Sequence, residues 1–295
     1  MREGLQARFN LQSDLQEAAA RGELEVHYQP VVEAASGAVA GFEALVRWRH
    51  PRRGLVGPAE FVPFAEETGL IVPLGRQVLA RACRQGAAWQ RAGLRGAGGG
   101  PLAVAVNVSG QQLGCADFVG EVAAALAESG LAPGALTLEI TEYSVVERPD
   151  VARERLAAVR ALGVRVAIDD FGTGYSALNQ LQHFPIDVLK VDRAFVDRVT
   201  RGGSHAAVTR TLVALGDALG VHTVAEGIET EEQRAYLGQL GCRLGQGYLF
   251  ARPLEPEALE ARVRGELAVV DPAAGGDDAP DVPEPRSPAW MLPQA

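Results

Sequence analysis

From Val104 onward the chain repeats one pattern: a short run of aliphatic, mostly β-branched residues, then a segment with helical spacing, then another short run. The runs are Val104–Val108, Leu136–Thr141, Val164–Asp169, Val188–Asp192, His222–Glu226 and Gly245–Phe250. The helical segments are Asp117–Ser129, Pro149–Leu162, Ser176–Gln182, His205–Leu219 and Glu231–Leu240. A helix between two strands carries the chain back to its starting edge, so consecutive strands run parallel and helices cover the sheet. Two earlier strands, Val26–Val32 and Val39–Trp48, are joined only by a turn at Ala35-Ser36-Gly37. That turn is too short for a crossover helix, so the pair must be antiparallel. Pro58–Leu94 reads as helix in two pieces and Gly96–Gly100 as a flexible loop. Eight strands, with helices after the second to the seventh, predict an α/β fold: a (β/α)8 TIM-type barrel with an antiparallel first strand.

Flanking this barrel, assigned to residues 23–267, are two segments of different character. Residues 1–22 read as a lead-in helix, with Leu5, Phe9, Leu15 and Ala18 at helical spacing from Glu3 to Arg21 and a stop at Gly22. Residues 268–295 are Pro, Ala, Gly and acid, with little to bury before Trp290, and read as a disordered tail. The chain's net charge is −9, of which the tail carries much, through Asp271, Asp277, Asp278, Asp281 and Glu284 against Arg286. Such a balance excludes a protein that coats a nucleic acid polymer or an anionic membrane, and an anionic ligand would need metal ions or a placed arginine. Cys83, Cys115 and Cys242 are odd in number and widely spaced, which suits neither a disulfide framework nor a zinc cluster and points to a reducing compartment. With neither a signal peptide nor an apolar run long enough to span a bilayer, a cytoplasmic location is expected.

The chemistry sits where the strands end. In barrel phase, alternate side chains face inward. Asn107, Glu139, Asp169 and Lys190 then point in from strands three to six, while Val104, Val106, Leu138, Ile140, Leu189 and Val191 face the helices. Asp170 lies beside Asp169 on the rim, Glu226 ends the seventh strand, and Glu43 lies on the second. Alone, Asp169-Asp170 also reads as a turn before a glycine loop, and Asn107 or Lys190 as a satisfied polar layer. Five carboxylates and one lysine do not reconcile that way, since like charges buried together repel and raise one another's pKa. Hard oxygen ligands without a His or Cys cluster point to Mg²⁺ or Mn²⁺, and so many acids suit two ions sharing a bridging Asp, as in phosphodiester cleavage. Lys190 is the only lysine in a chain whose other basic residues are arginine, which suggests a role that arginine does not fill.

In order and spacing, a set of motifs resembles the EAL-domain phosphodiesterases of cyclic di-GMP. They are YQPVV (Tyr28–Val32), Glu43-Ala44-Leu45 with Arg47-Trp48, PAEFVPFAEETGLI (Pro58–Ile71) and VNVS (Val106–Ser109), followed by LEITE (Leu138–Glu142) and DDFGTGYS (Asp169–Ser176). LKVDRAFV (Leu189–Val196), AEGIET (Ala225–Thr230) and QGYLFARP (Gln246–Pro253) complete a resemblance that spans Leu24 to Leu254. It implies that Glu43, Asn107, Glu139 and Asp169 bind one metal and Asp169, Asp170 and Glu226 the second. Lys190 would orient the attacking water with Glu226 or Asp170 assisting, and Gln29 and Arg47 would contact substrate. Gln246 and Glu229 would support the second metal, and Glu142 would anchor the loop Phe171–Ser176. Ala177-Leu178-Asn179-Gln180 and Gly110 depart from commoner residues outside the presumed ligands. His50, His183 and His222 read as structural and Cys242 as core. The implied reaction is hydrolysis of cyclic di-GMP to linear 5′-pGpG. The alternative is a non-catalytic cyclic di-GMP receptor or interaction module, whose members usually lack ligands or the DDFGTGYS loop, both intact here. An enolase-type Mg²⁺ barrel is disfavoured by the adjacent Asp pair and the reversed first strand. The family also implies a homodimer and upstream sensory or GGDEF domains.

Overall fold

A computed structural model describes residues 14–18, 21–172, 184–201 and 203–264. Within them lie β1 (Leu24–Glu33), β2 (Val39–His50), β3 (Gly54–Val56), α1 (Pro58–Thr68), α2 (Ile71–Arg91), β4 (Ala103–Asn107), α3 (Gly110–Gly114), α4 (Phe118–Ser129) and β5 (Leu136–Thr141). They continue as α5 (Glu142–Glu147), α6 (Pro149–Ala161), β6 (Arg165–Phe171), β7 (Val188–Val191), α7 (Arg193–Val196), α8 (Gly203–Leu219), β8 (His222–Ala225), α9 (Glu231–Gln239), β9 (Leu244–Gln246) and α10 (Pro256–Val263). The strands are hydrogen-bonded in the order β1-β9-β8-β7-β6-β5-β4-β2-β3, and β1 also pairs with β2, which closes eight of them into a barrel. Strand β1 is antiparallel to both β2 and β9, while the pairs from β2–β4 round to β8–β9 are parallel. The predicted barrel with a reversed first strand is the observed one.

Alternation along each strand sorts the residues into two environments. Outward-facing Val104, Val106, Leu136, Leu138, Ile140, Val166, Ile168, Leu189 and Val191 are almost wholly buried in the main core under the helices. On the β1–β2 side that core is aromatic: the Trp89 ring of α2 lies 4.8 Å from both Tyr28 and Phe42. Inside the barrel, Ala167, Val188 and Val224 form a separate apolar cluster with Val31 and Leu244. Burial of this kind contributes about 25 cal/mol per Å² of apolar surface, so the outer shell carries most of the stability and the interior is left for polar work.

Local chemistry sets the helix starts. Ser109 and Gln112 form a reciprocal capping box at α3, and Thr230 and Gln233 form another at α9. Each satisfies amides that would otherwise be orphaned at the helix start. Residues 14–18 are helical, with Leu15 and Ala18 in the main core, so this part of the lead-in helix docks on the barrel. Arg21 is helical too and Gly22 turns the chain, whereas residues 1–13 and 19–20 lie outside the described residues, as do the Ser176–Gln182 helix, His183 and the tail from residue 268.

Three differences from the sequence reading have local causes. Strand β3, in a stretch left unassigned between Trp48 and Pro58, extends β2 as a hairpin through a glycine with φ +71° at Gly54. The Gly96–Gly100 segment closes on itself, with Gly96 N donating to Gly100 O (2.9 Å) and Arg95 bridging Pro101. The strand expected over Gly245–Phe250 stops at Gln246, because the chain then turns against Ile228, whose amide donates to Gln246 O and whose carbonyl accepts from Leu249 N, both at 3.0 Å. A side chain at Gly247 would sit 2.2 Å from the Ile228 backbone. Gly247→Ala is therefore expected to cost about 1–3 kcal/mol as overpacking against an immovable partner. Thermal denaturation checks it, with a fall in Tm of several degrees expected and an unchanged Tm arguing against this close approach. Among the described residues no helix is long and apolar enough to cross a membrane.

Candidate active site

The site is the upper polar layer of the barrel interior. Two residues further along each strand than Ala167, Val188, Val224 and Leu244, towards the carboxyl ends of the parallel strands, stand Asp169, Lys190, Glu226 and Gln246. A strand's period of two puts each pair on the same inward face. Strand β1 runs the other way, so its polar residue precedes its apolar one: Gln29 before Val31, with Gln29 opposite Glu43 of β2. Asn107 and Glu139 complete the ring, facing each other across β4 and β5. The barrel thus has an apolar floor and a charged mouth, at the end where such folds build active sites.

Lys190 is the centre of the layer. It is only 2% exposed, and its Nζ lies 2.5 Å from Glu226, 2.7 Å from Glu139, 3.3 Å from Asp169 and 3.6 Å from Glu43. Burial opposes its charge, but the surrounding carboxylates outweigh burial and raise its pKa well above the ordinary lysine value. One ammonium does not answer four acids. Burial, together with repulsion from neighbouring carboxylates, raises Glu139, Glu226 and Asp169 above the usual carboxylate range despite the attraction of Lys190. Glu43 moves the opposite way. Burial is again the largest influence on it, yet Lys190 together with amide donors from Gln246 and Asn107 lowers its pKa.

Amides hold Glu43 in place. Asn107 Nδ2 donates to its Oε1 and Gln246 Nε2 to its Oε2, both at 2.6 Å. Gln246 Nε2 also donates to Gln29 Oε1 (2.9 Å), and Gln29 Nε2 in turn donates to Ala251 O (3.1 Å). The Asp pair is placed by the backbone. Simple alternation would turn Asp170 away from the face that Asp169 occupies. Instead the β6–β7 register shifts between Ile168 and Phe171, and Asp170 adopts φ +54°, the only positive φ on a non-glycine residue among those described. This bulge brings oxygens of Asp169, Asp170 and Glu226 within 4.8 Å of one another. Burial, then the charges of Asp169 and Asp192, push Asp170 up to about 7.

The remaining expected residues lie further out. Glu142 is buried and its Oε2 accepts from Gly172 N (3.0 Å), which pins the start of the glycine loop; residues 173–176 of that loop lie outside the described residues. Glu229 is not in the acid cluster, its carboxylate being taken by Arg193 Nη2 at 2.7 Å. Arg47 stands four residues beyond Glu43 on β2, opposite Glu25, with Nη1 donating to Val46 O. His50 is structural as read, its Nε2 3.2 Å from Asp14 and its ring 4.8 Å from that of Trp48. His222 is exposed at the floor end of β8, and Cys242 is buried against Thr223 and Leu244.

Sequence reasoning passed over Asp192 and Arg193. Asp192 caps Ala194 N (2.8 Å) while pressing on Asp170. Arg193 lies over Gly227, where an added Cβ would meet its Cγ at 2.4 Å, and so sets the path of the chain between Glu226 and Glu229. Their one signal was position, directly after the strand that carries Lys190.

The donor set suits a hard divalent cation. It is all oxygen apart from Lys190, its like charges need a counter-charge, and Gln246 Oε1 is buried with no hydrogen-bond partner. Without metal, carboxylates whose folded pKa is raised bind protons more tightly folded than unfolded. Stability then falls as pH rises through the interval between their ordinary values, near 4, and the value of about 7 reached by Asp170. The metal-free protein is expected to lose Tm across that interval, and saturating Mg²⁺ or Mn²⁺ to raise Tm and flatten the slope. At 100 times Kd such an ion adds about 2.7 kcal/mol. A Tm indifferent to both ions would argue against this site.

Comparison with known proteins agrees with the geometry. The chain is 43% identical over 263 residues to the Pseudomonas aeruginosa protein named bifunctional diguanylate cyclase/cyclic di-GMP phosphodiesterase MucR, covering 89% of this chain and 38% of that one. It is 43% identical over 256 residues to cyclic di-GMP phosphodiesterase NbdA of the same species, covering 87% and 32%. A solved structure described as PaMucR phosphodiesterase, c-di-GMP complex, superposes with a TM-score of 0.80 at 43% identity, covering 85% of this chain and 99% of that one. The chain spans about a third of the length of the curated relatives it matches. The EAL domain model matches residues 12–253, the span that holds the barrel and every residue of the charged mouth, and the chain belongs to the EAL domain family.

Proposed function

We propose that this chain hydrolyses cyclic di-GMP to linear 5′-pGpG with two divalent ions, Mg²⁺ or Mn²⁺. The observation that carries the reading is Lys190, buried against four carboxylates at the barrel mouth with Asp170 bent in beside them. The names of MucR and NbdA and the ligand of the PaMucR complex support it. Glu43, Asn107, Glu139 and Asp169 would hold one ion and Asp169, Asp170 and Glu226 the other. When bound, the ions would supply charge neutralisation and lower the pKa of water.

The chain's own groups do the rest. The Lys190 ammonium, with three donors on a compact head, orients the water by hydrogen bonding while its remaining donors stay on Glu139 and Glu226. Glu226 or Asp170 takes the proton as the water oxygen bonds to phosphorus. The P–O3′ bond breaks in line, and the leaving 3′ oxygen collects a proton to become a hydroxyl, so one water is consumed per ring opened. Arg47 reaches the phosphate and Gln29 the nucleotide, with Gln29 held by Gln246 and Ala251. Gln246 and Glu229, the latter through Arg193, keep the second-ion side in position, and Glu142 anchors Gly172, where the loop begins.

With Mg²⁺ or Mn²⁺ the purified chain is expected to convert cyclic di-GMP to 5′-pGpG, followed by chromatography. Binding without turnover would establish the receptor alternative instead. Lys190→Ala is expected to lower kcat by about 10²–10³-fold, the usual effect of losing one placed donor, and Lys190→Arg should not rescue it. Glu43→Ala should abolish turnover while the metal-loaded protein keeps its fold by circular dichroism, and a fully active Glu43→Ala protein would sink the assignment.

A further inference from the structure

A second cluster of ligating side chains lies on the same rim of the barrel, outside the charged mouth. Because β1 is reversed, its first residues reach the end where β2 finishes, and Glu25 pairs with Arg47 as Gln29 pairs with Glu43. Glu25 and His27 share the inward face of β1 with Gln29, and Glu255, the residue before α10, comes over them. One ligand atom from each of Glu25, His27 and Glu255 falls within 4.8 Å of the other two. They line an open groove with Arg49, Arg81 and Glu257.

The hydrogen bonding of this cluster is incomplete in a specific way. Arg49 bridges the two acids, its Nη2 2.8 Å from Glu25 Oε2 and 3.2 Å from Glu255 Oε1. Arg49 leaves His27 unanswered: the imidazole is 7% exposed, its Nε2 is buried without a hydrogen bond, and the Glu25 carboxylate stands 3.7 Å away. Burial and the charge of Arg47 hold His27 below its ordinary pKa, so the ring is neutral and a lone pair is available. Glu255 does not spend its carboxylate on capping α10. The Arg49 side chain is 54% exposed, so water can take over its hydrogen bonds if a cation displaces it from the two acids. One imidazole nitrogen and two carboxylates are satisfied together by a borderline divalent cation, whereas Mg²⁺ prefers oxygen alone.

We propose that Glu25, His27 and Glu255 form a transition-metal site of the Zn²⁺ type, which Arg49 holds shut in the metal-free protein. Occupancy ties the start of α10 to β1. The chain just before Glu255 also supplies Ala251 O to Gln29 and pairs Leu254 with Tyr28, so the metal would stiffen the wall beside the charged mouth.

The test is Zn²⁺ titration by calorimetry of the full chain in excess Mg²⁺, which loads the charged mouth, with no substrate present. One Zn²⁺ equivalent is expected, and Co²⁺ in its place should give the visible absorption of an imidazole-bound ion. His27→Ala should weaken that binding by at least about tenfold, since even outer-shell partners of a ligand cost that much. Should His27→Ala fail to fold, Glu255→Gln and Arg49→Gln, both at exposed positions, decide the matter: the first weakens Zn²⁺ binding and the second tightens it by removing the competing cation. Binding unchanged in these variants, binding lost only in Asp169→Asn, or no binding at all overturns the proposal. None of these results depends on whether the chain hydrolyses cyclic di-GMP.

Discussion

The one interaction on which the rest of the structure depends is the meeting of Lys190 with Glu43, Glu139, Asp169 and Glu226 inside the barrel. Four acids and one ammonium do not neutralise, and the surplus negative charge is expensive to bury. A protein optimised for stability alone would place aliphatic side chains there, as it does one layer below with Val188, Ala167 and Val224. Protons relieve part of the surplus, as the raised pKa of Glu139, Asp169 and Glu226 shows, and the divalent ions of the proposed function would supply the rest of the counter-charge at the mouth. A small ammonium stands at the centre, since a guanidinium fork has no room between four oxygens already within 3.6 Å.

Around that centre the scaffold works by holding directions. The outer core is dense and aliphatic, so the strands do not yield to the repulsion inside. Amides from Asn107 and Gln246 fix both oxygens of Glu43, and Gln29 extends that chain of hydrogen bonds to the segment past β9. The positive φ at Asp170 is local strain kept in place by pairing on both sides of the bulge. It turns two successive residues to one side, which an unbroken strand does not do. The same bulge delivers the chain to Gly172, whose amide is caught by the buried Glu142, so the acid pair and Gly172 are set by one backbone event.

Much of this was legible in the chain. Strand–helix alternation and the short turn before Val39 were enough for a barrel with a reversed first strand, because connection length dictates strand direction. Strand period was enough to put Glu139, Asp169 and Lys190 inside, because apolar neighbours had to face the helices. The extent of β9 was misread, since Gly-Tyr-Leu-Phe looks like strand until Gly247 meets the Ile228 backbone. Strand β3 was missed because three residues carry no period. Glu229 was expected to support the second metal, and its carboxylate is held by Arg193, from the segment after β7, a partner that no local pattern announces.

By itself, then, the sequence determined the architecture, the identity of the charged residues and the strand on which each stands, because all three follow from local periodicity and connection length. Tertiary structure alone decided which charges touch. Gln29 and Gln246 are 217 residues apart and share a hydrogen bond because the barrel closes β1 onto β9. Asp170 points inward because a bulge against β7 makes it do so. Lys190 stands among four acids because four other strands bring them to it. The assembly of Glu25, His27 and Glu255 belongs to the same class: it arises from the reversal of β1 and the return of the chain at α10, and closure of a barrel is not a local property of any segment.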